Sequence, residues 1–395
     1  MPDGSTMPKA KRAPAAEAPA GATILAGHLL RVVRQAKLAT ARRNTIPILS
    51  CVLLQVNDGR ITAISTDLEA TSSAAGPASG VLPPVAVPSS RMAALLHNLA
   101  PETEVTLSLP DAGSLLIKAD TLKARLIAQP AEDFPVIKEM PEHAARFGIQ
   151  LADLERLITG PAHAISTEET RYYLNGLYLE PEPQHDPPRL NAVATDGHRL
   201  AAFHMDMPTG AEVWGGGIVP RGSLTILRHI LGGRVAGEIK VTASDKAIEF
   251  TGLDWRLHAK LIDGTFPEYR RVIPKAEGGA VCTVALPRQL SRLLGTVSAV
   301  SDERSRPVQI NDGSSAELSV SVRSPEGGEA DMTIPADVAA WEDGVPHPRI
   351  GFQVRYLRAL CEAAPKGFTM RVQDGHAPMR IEFLGGLACL MPMRV

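Results

Sequence analysis

The sequence predicts an α+β protein made of three similar units. Three observations carry this. Markers recur at near-constant spacing, strand-like segments come in runs instead of alternating singly with helices, and short apolar-periodic segments punctuate those runs. Val87-Pro88-Ser89-Ser90 precedes MAALLHNL, and Val219-Pro220-Arg221-Gly222-Ser223 precedes LTILRHIL, an offset of 132. Phe134-Pro135 and Phe266-Pro267 repeat the offset of 132, and Thr66-Asp67 and Thr195-Asp196 lie 129 apart. Self-similarity at fixed spacing marks a repeated structural unit. Runs of strands favour antiparallel sheets over βαβ units.

Composition sets the outer bounds. The chain has 395 residues, 44% hydrophobic and 21% charged, with mean hydropathy −0.01. That is an ordinary globular composition, long enough for several domains. No apolar stretch reaches the roughly 18 residues of a membrane span, so no membrane association is expected. Four scattered cysteines with no CxxC pair argue against a zinc site or disulfide framework, and for a reducing, cytoplasmic setting. The formal charge of −2 excludes a bulk polycation but leaves room for a basic patch balanced by acid elsewhere.

The spacing predicts a disordered tail over 1–21, then domains over 22–145, 146–276 and 277–395. The tail is rich in alanine and proline and has no secretory apolar core. Its Lys9, Lys11 and Arg12 offer charge to nucleic acid. In the first domain, HLLRVVRQAKLATARRN (28–44) reads as helical, the segment after Val87 as a second helix, and LLIKADTLKARLIAQ (115–129) as paired strands. The second domain opens with the helical LADLERLITGPAHAI and continues through the helix after Pro220. EIKVTASDKAIEFTGLDWRLHAKLI (238–262) then reads as paired strands. The third, fainter copy has LPRQLSRLLGTVSAV (286–300) and QVRYLRAL (353–360) as its helices.

Charge is sorted onto these helices. Five of the six carry arginine or lysine and no acid: the cations include Arg31, Arg34, Lys37, Arg42, Arg43, Arg91, Arg221, Arg228, Arg234, Arg288, Arg292, Arg355 and Arg358. Only the 151–165 segment holds acids, Asp153 and Glu155. Helices facing one surface would make it strongly positive, suited to a nucleic-acid backbone. Few aromatics are interleaved, which favours duplex backbone contact over single-strand stacking.

No enzyme emerges from the residues. Asp196-Gly197-His198-Arg199 puts an Asp two residues from a His, but no GxSxG elbow accompanies it, and a structural turn is the better reading. Gly215-Gly216-Gly217 lacks any phosphate-loop pattern, and nothing resembles HExxH. No cofactor or metal is implied. The apolar C-terminus, LACLMPMRV, fits a final core strand or a groove wall that docks a peptide, for which adaptable methionine is suited.

Several segments together resemble the β subunit of bacterial DNA polymerase III, the sliding-clamp family. They are Thr45–Leu49, Thr170–Gly176, Ala194–Ala201, the sixteen-residue block Lys260–Lys275, and Met391–Val395. The resemblance runs from about 22 to 395 and is strongest in the middle. It implies three clamp-type domains per chain, with helices lining a ring interior and antiparallel sheets outside. It further implies a homodimeric ring around duplex DNA, held without sequence preference, that tethers polymerase and performs no chemistry. A pocket for short peptides from polymerase, clamp loader and repair proteins maps onto Leu174, Thr195, Gly197, His198, Arg199, Leu200, Pro267, Arg271, Val272, Leu390, Met391, Pro392 and Met393. DNA-facing positions map onto Arg43, Arg91, Tyr173 and Arg221, to which charge sorting adds Arg34, Lys37, Arg42 and Arg228. At the protomer contact, Ala124 and Leu126 on one side and Ala299 and Val300 on the other are smaller than the family's usual apolar residues. Glu303–Val308 also departs from the family pattern. The alternative is therefore a divergent accessory clamp or adaptor that binds clamp-binding peptides but closes a ring poorly.

Overall fold

The computed structural model describes residues 21–41, 45–136, 139–301, 307–325 and 327–393. Its chain divides into two compact units, residues 1–137 and 138–395.

In the first unit, α1 (Ala26–Ala36) and α2 (Ser89–His97) pack together. α1 buries Leu29, Val32, Val33 and Ala36 while Arg31 and Arg34 stay exposed, the spacing of a one-sided helix. α2 does the same with Met92 and Leu96 buried and Arg91 exposed. One antiparallel sheet orders its strands Ser79–Gly80, Gly21–Leu25, Glu104–Asp111, Ser114–Ala119 and Leu122–Ile127. A second set pairs Ala70–Pro77, Arg60–Thr66, Cys51–Asn57 and Leu82–Pro88 in succession. A single core joins the helices to both, through Val52, Leu54, Ile61, Val105, Leu107 and Ile117.

The second unit carries two helix pairs: α3 (Leu151–Thr159) with α4 (Arg221–Leu231), and α5 (Pro287–Val297) with α6 (Val354–Ala363). Its nine-stranded sheet runs Gly217–Pro220, Gly176–Glu182, Arg189–Thr195, Arg199–Asp206, Gly386–Leu390, Met379–Phe383, Phe368–Val372, Ala280–Val284, Ala339–Trp341. A four-stranded sheet orders Gly328–Ile334, Leu318–Ser324, Pro307–Ile310 and Ile350–Gln353. Ala145–Gln150, Glu238–Ala243, Ala247–Thr251 and Trp255–Lys260 pair in succession.

Several expectations shift. The first compact unit ends at 137, and Ala145 opens a strand paired with Glu238–Ala243 within the second unit. On either side of 276/277, Arg199–Asp206 pairs with Gly386–Leu390. Gly21, assigned to the tail, is the first strand residue, paired with Ser108. The 238–262 segment holds three strands, with turns at both Ser244 and Gly252. The α1 helix stops at Ala36, and Lys37 lies in the 3-10 turn Lys37–Ala39. Residues 1–20, Arg42, Arg43 and the 302–306 segment lie outside the described residues.

Candidate functional site

The site is built around the Thr195–Arg199 turn. Thr195 Oγ1 donates to the Arg199 carbonyl at 2.7 Å and accepts the Gly197 N–H at 3.1 Å. Asp196 Oδ1 accepts the backbone N–H groups of His198 and Arg199 at 2.9 and 3.0 Å, and Oδ2 takes Arg199 Nε at 3.0 Å. Gly197 sits at φ +87°, where a Cβ is strained. Asp196 thus holds backbone and Arg199, with no bond to the His198 ring. The segment is a structural turn, not an acid–base dyad.

The C-terminal strand completes a cleft beside this turn. Arg199 registers with Leu390, and Leu200 with Cys389. Past the strand, Met391 N–H donates to the His198 carbonyl at 2.9 Å, and Met393 N–H to the Gly351 carbonyl at 2.7 Å. The chain end is therefore pinned on both sides while Met391 stays 43% exposed. The cleft measures about 490 Å³ and is lined by Ile165–Glu168, Asp196, His198, Arg199, Gln353, Arg355, Tyr356 and Met391–Met393. The Arg199 guanidinium stacks over the Tyr356 ring, 4.2 Å from its centre. Burial pushes the Arg199 pKa down, against the opposing pull of Asp196.

Leu174 and Leu200 belong to an adjoining apolar cluster with Val193, Ile218, Phe266, Tyr269 and Cys389. Phe266 stacks on Tyr178 at 4.9 Å. Pro267, Arg271 and Val272 sit on the following turn, exposed to solvent, with Val272 55% exposed. A polar network fastens that turn to the strand Gly176–Glu182. Tyr269 Oη donates to Glu180 at 2.8 Å, and Arg270 bonds both Glu180 and Glu182. Arg189 and Asn191 donate to Glu182 at 2.7 and 2.9 Å. Burial alone would raise the Glu182 pKa, but these bonds hold it at about 2.

Of the thirteen expected pocket residues, His198, Arg199, Met391, Pro392 and Met393 line the one cleft. Thr195 and Gly197 form its turn, Leu390 ends its strand, and Leu174 and Leu200 sit in the adjoining cluster. Pro267, Arg271 and Val272 are brought near only through Phe266 and Tyr269 of their own turn. The sequence did not point to Ile165–Glu168, Gln353, Arg355 or Tyr356 as pocket residues. Gln353 was visible only as part of a repeat marker, and Arg355 only as a basic helix residue.

The expected nucleic-acid contacts are distributed over the helices. Arg34, Arg91, Arg221 and Arg228 are exposed. Arg34 Nη2 lies 2.8 Å from His97 Nδ1. Arg91, Arg221 and Arg228 form no ion pair among the described residues. Lys37 is half-buried. Tyr173 is half-buried against the apolar cluster, edge-on to Tyr172 at 5.8 Å, and Tyr172 is the exposed ring at 54%. Arg42 and Arg43 lie outside the described residues.

Ala124 and Leu126 are on the edge strand Leu122–Ile127, half-buried against their own core, whereas Ile127 is 71% exposed. Ala299 and Val300 lie in the 3-10 turn Ser298–Val300, which packs beside the edge strand Gly328–Ile334. Among the described residues no His, Cys, Asp or Glu cluster is suited to hold a metal, and no helix is long and apolar enough to cross a membrane.

Comparison with known proteins gives concordant matches. Residues 22–138 match the family model of the DNA polymerase III beta subunit, N-terminal domain, and residues 148–268 that of its central domain. The beta sliding clamp of Caulobacter vibrioides is 34% identical over 381 residues, 94% of this chain and 99% of that protein. That of Escherichia coli K12 is 29% identical over 386 residues, covering 94% and 99%. The crystal structure of the Caulobacter crescentus beta sliding clamp superposes with a TM-score of 0.88 at 32% identity, covering 96% of this chain and all of that one. A Bartonella birtlesii sliding clamp bound to griselimycin gives 0.87 at 30% identity, covering 95% and 100%.

Proposed function

The chain belongs to the family of bacterial DNA polymerase III β subunits, the non-catalytic DNA sliding clamps that make polymerases processive, and from that premise we propose how its residues serve the role. The cleft between the Thr195–Arg199 turn and the C-terminal strand receives short peptides from polymerase, clamp loader and repair proteins. The observation that carries this is the chain end. Met391 and Met393 are hydrogen-bonded on both sides through their backbones, yet Met391 presents an unbranched, exposed apolar side chain to an open groove. A terminal strand with only a core role would bury it. Thioether flexibility lets one groove accept several sequences, and a peptide with glutamine and apolar residues supplies both amide and apolar contacts.

The cations on α1, α2, α4 and α5 hold duplex DNA in the cytoplasm through phosphate contacts that carry no sequence information. Residues 22–145, 146–276 and 277–395 act as three clamp domains, and two chains close head to tail into a ring. Support for closure comes from two unpaired sheet edges, Leu122–Ile127 and Gly328–Ile334, since free edges template association. Ala124, Ala299 and Val300 add little apolar volume there. That observation favours weaker closure than bulkier residues would give, and with it the accessory-clamp or adaptor reading.

The test is a labelled glutamine–leucine peptide titrated against the full chain and against a chain lacking residues 391–395. Deletion is expected to abolish binding with circular dichroism and melting essentially unchanged. Equal affinity in both chains would remove the cleft from the peptide site.

A further inference from the structure

We infer that Arg355 makes this cleft selective for partner peptides that carry a carboxylate, an inference that rests on the peptide-binding reading above. The argument is the charge inventory of the groove. Two carboxylates line it, and each is already bonded to an arginine of its own. Glu168 accepts from Arg171 Nε at 2.8 Å and Nη2 at 2.7 Å, and Asp196 from Arg199 Nε at 3.0 Å. Arg355 also lines the groove and is exposed, and its partners among the described residues are neutral. Its Nε donates to the Gln353 side chain, its Nη2 donates to Tyr356 Oη at 3.2 Å, and its guanidinium lies 4.9 Å from the centre of the Tyr356 ring.

These contacts matter for what Arg355 recognises. A free surface arginine loses rotamer entropy when it meets an anion. Here the neighbours already orient the planar fork at the rim, so less is lost per bond formed. The neutral partners leave its charge uncompensated. Among the described residues the other groove charges are matched in pairs, so Arg355 supplies the excess positive charge. The complementary group is a peptide carboxylate, which accepts charge-assisted and geometrically specific hydrogen bonds from such a fork. The chemistry is shared by an Asp or Glu side chain and by a free C-terminus. Arg355 is the second residue of α6, yet it serves the groove and not the DNA-facing charge.

The experiment uses the full chain and a short labelled peptide of glutamine, leucine and phenylalanine. Matched Asp and Asn versions are made at each intervening position, with either a free or an amidated C-terminus. Fluorescence polarisation is expected to show a preference of about three- to tenfold for the acidic version at one position or at the free terminus. Which arm shows it identifies the source of the carboxylate. The preference should shrink with added salt, vanish in Arg355→Ser, survive in reduced form in Arg355→Lys, and reverse in Arg355→Glu. Circular dichroism and the melting temperature should change little in Arg355→Ser, which reports that the chain is still folded. An acid preference unchanged in Arg355→Ser overturns the inference while leaving the peptide site standing. So does equal binding of every acid and amide pair by the native chain. Absence of binding by any peptide to the native chain overturns the peptide site itself. If Arg355→Ser instead weakens retention on duplex DNA with the peptide ratios intact, the residue belongs to the cationic helix face.

Discussion

His163 shows how a single side chain ties the cleft to solution conditions. It lies in the 3-10 turn Pro161–Ala164, which packs against the strands Arg189–Thr195 and Arg199–Asp206 and against α6. Neither ring nitrogen has a hydrogen-bond partner among the described residues. Burial first, then the Arg199 charge, lowers its pKa to about 4, with Asp196 pulling the other way. The unfolded chain takes up the proton near 6.5, the folded one only near 4. Between those values the unfolded state binds more protons, so stability rises with pH and falls on acidification. At about 1.4 kcal/mol per unit, the loss from this residue reaches up to about 3 kcal/mol by pH 4. Urea unfolding of the native chain and His163→Gln at pH 7, 5.5 and 4.5 checks this. The stability gap between them is expected to narrow or change sign as pH falls, and a constant gap would remove His163 as a contributor.

At the scale of elements, the repeat markers have a physical meaning that spacing alone only hinted at. Thr66-Asp67 builds the same turn as Thr195-Asp196. Thr66 Oγ1 donates to the Ala70 carbonyl at 2.9 Å, and Asp67 Oδ1 accepts from the Glu69 and Ala70 N–H groups at 3.0 and 2.7 Å. The third residue is left-handed in both, Gly197 at φ +87° and Leu68 at φ +78°. Leucine is disfavoured there by about 1–2 kcal/mol, and its side chain is 44% exposed, so little packing offsets the strain. Leu68→Gly is expected to stabilise the chain by about 0.5–1 kcal/mol, the strain relieved less the extra freedom of glycine in the unfolded state. A lower denaturation midpoint would contradict it. These turns and the one-sided helices were legible because local chemistry dictates them. Apolar residues at helical spacing and Thr-Asp at a strand end mean the same thing in any fold. The cleft was legible only in part. His198 and Met391 carry recognisable motifs, but Tyr356 and Arg355 reach it through the packing of α6 on the Pro161–Ala164 turn and the Met393–Gly351 hydrogen bond, long-range contacts with no local signature. The 145/146 boundary rests on repeat spacing, which carries no sign of such contacts. Ala145–Gln150 reads locally as the end of one segment, while its hydrogen bonds go to Glu238–Ala243.

For the whole molecule, the proposed ring depends on whether two chains stay closed, and in that proposal the two sheet edges set the terms. Leu122–Ile127 has alternating exposure: Leu122, Ala124 and Leu126 face the core, while Lys123, Arg125 and Ile127 face out. An edge that joins another chain gains main-chain hydrogen bonds regardless of side chains, and apolar burial adds to them. Only Ile127 offers a large exposed apolar side chain on that strand, so in the proposed contact backbone pairing would carry a larger share than bulky residues would leave to it. Backbone pairing needs the edge to be free and regular, which makes proline the informative substitution. Light scattering on the native chain at low-micromolar concentration is expected to give a mass near twice 42.1 kDa, falling toward the monomer on dilution. Arg125→Pro removes an N–H and breaks the strand's regularity, at a surface position outside the core. It should give monomer at every concentration, while binding of the glutamine–leucine peptide in the second unit persists. Ile127→Ala should only shift the dilution midpoint, by about tenfold for the ~1–2 kcal/mol of lost burial. A native chain that is monomeric throughout would make this a peptide-binding adaptor in free solution, with closure left to DNA or to a second clamp chain. A proline variant that remains dimeric would place the contact away from this edge.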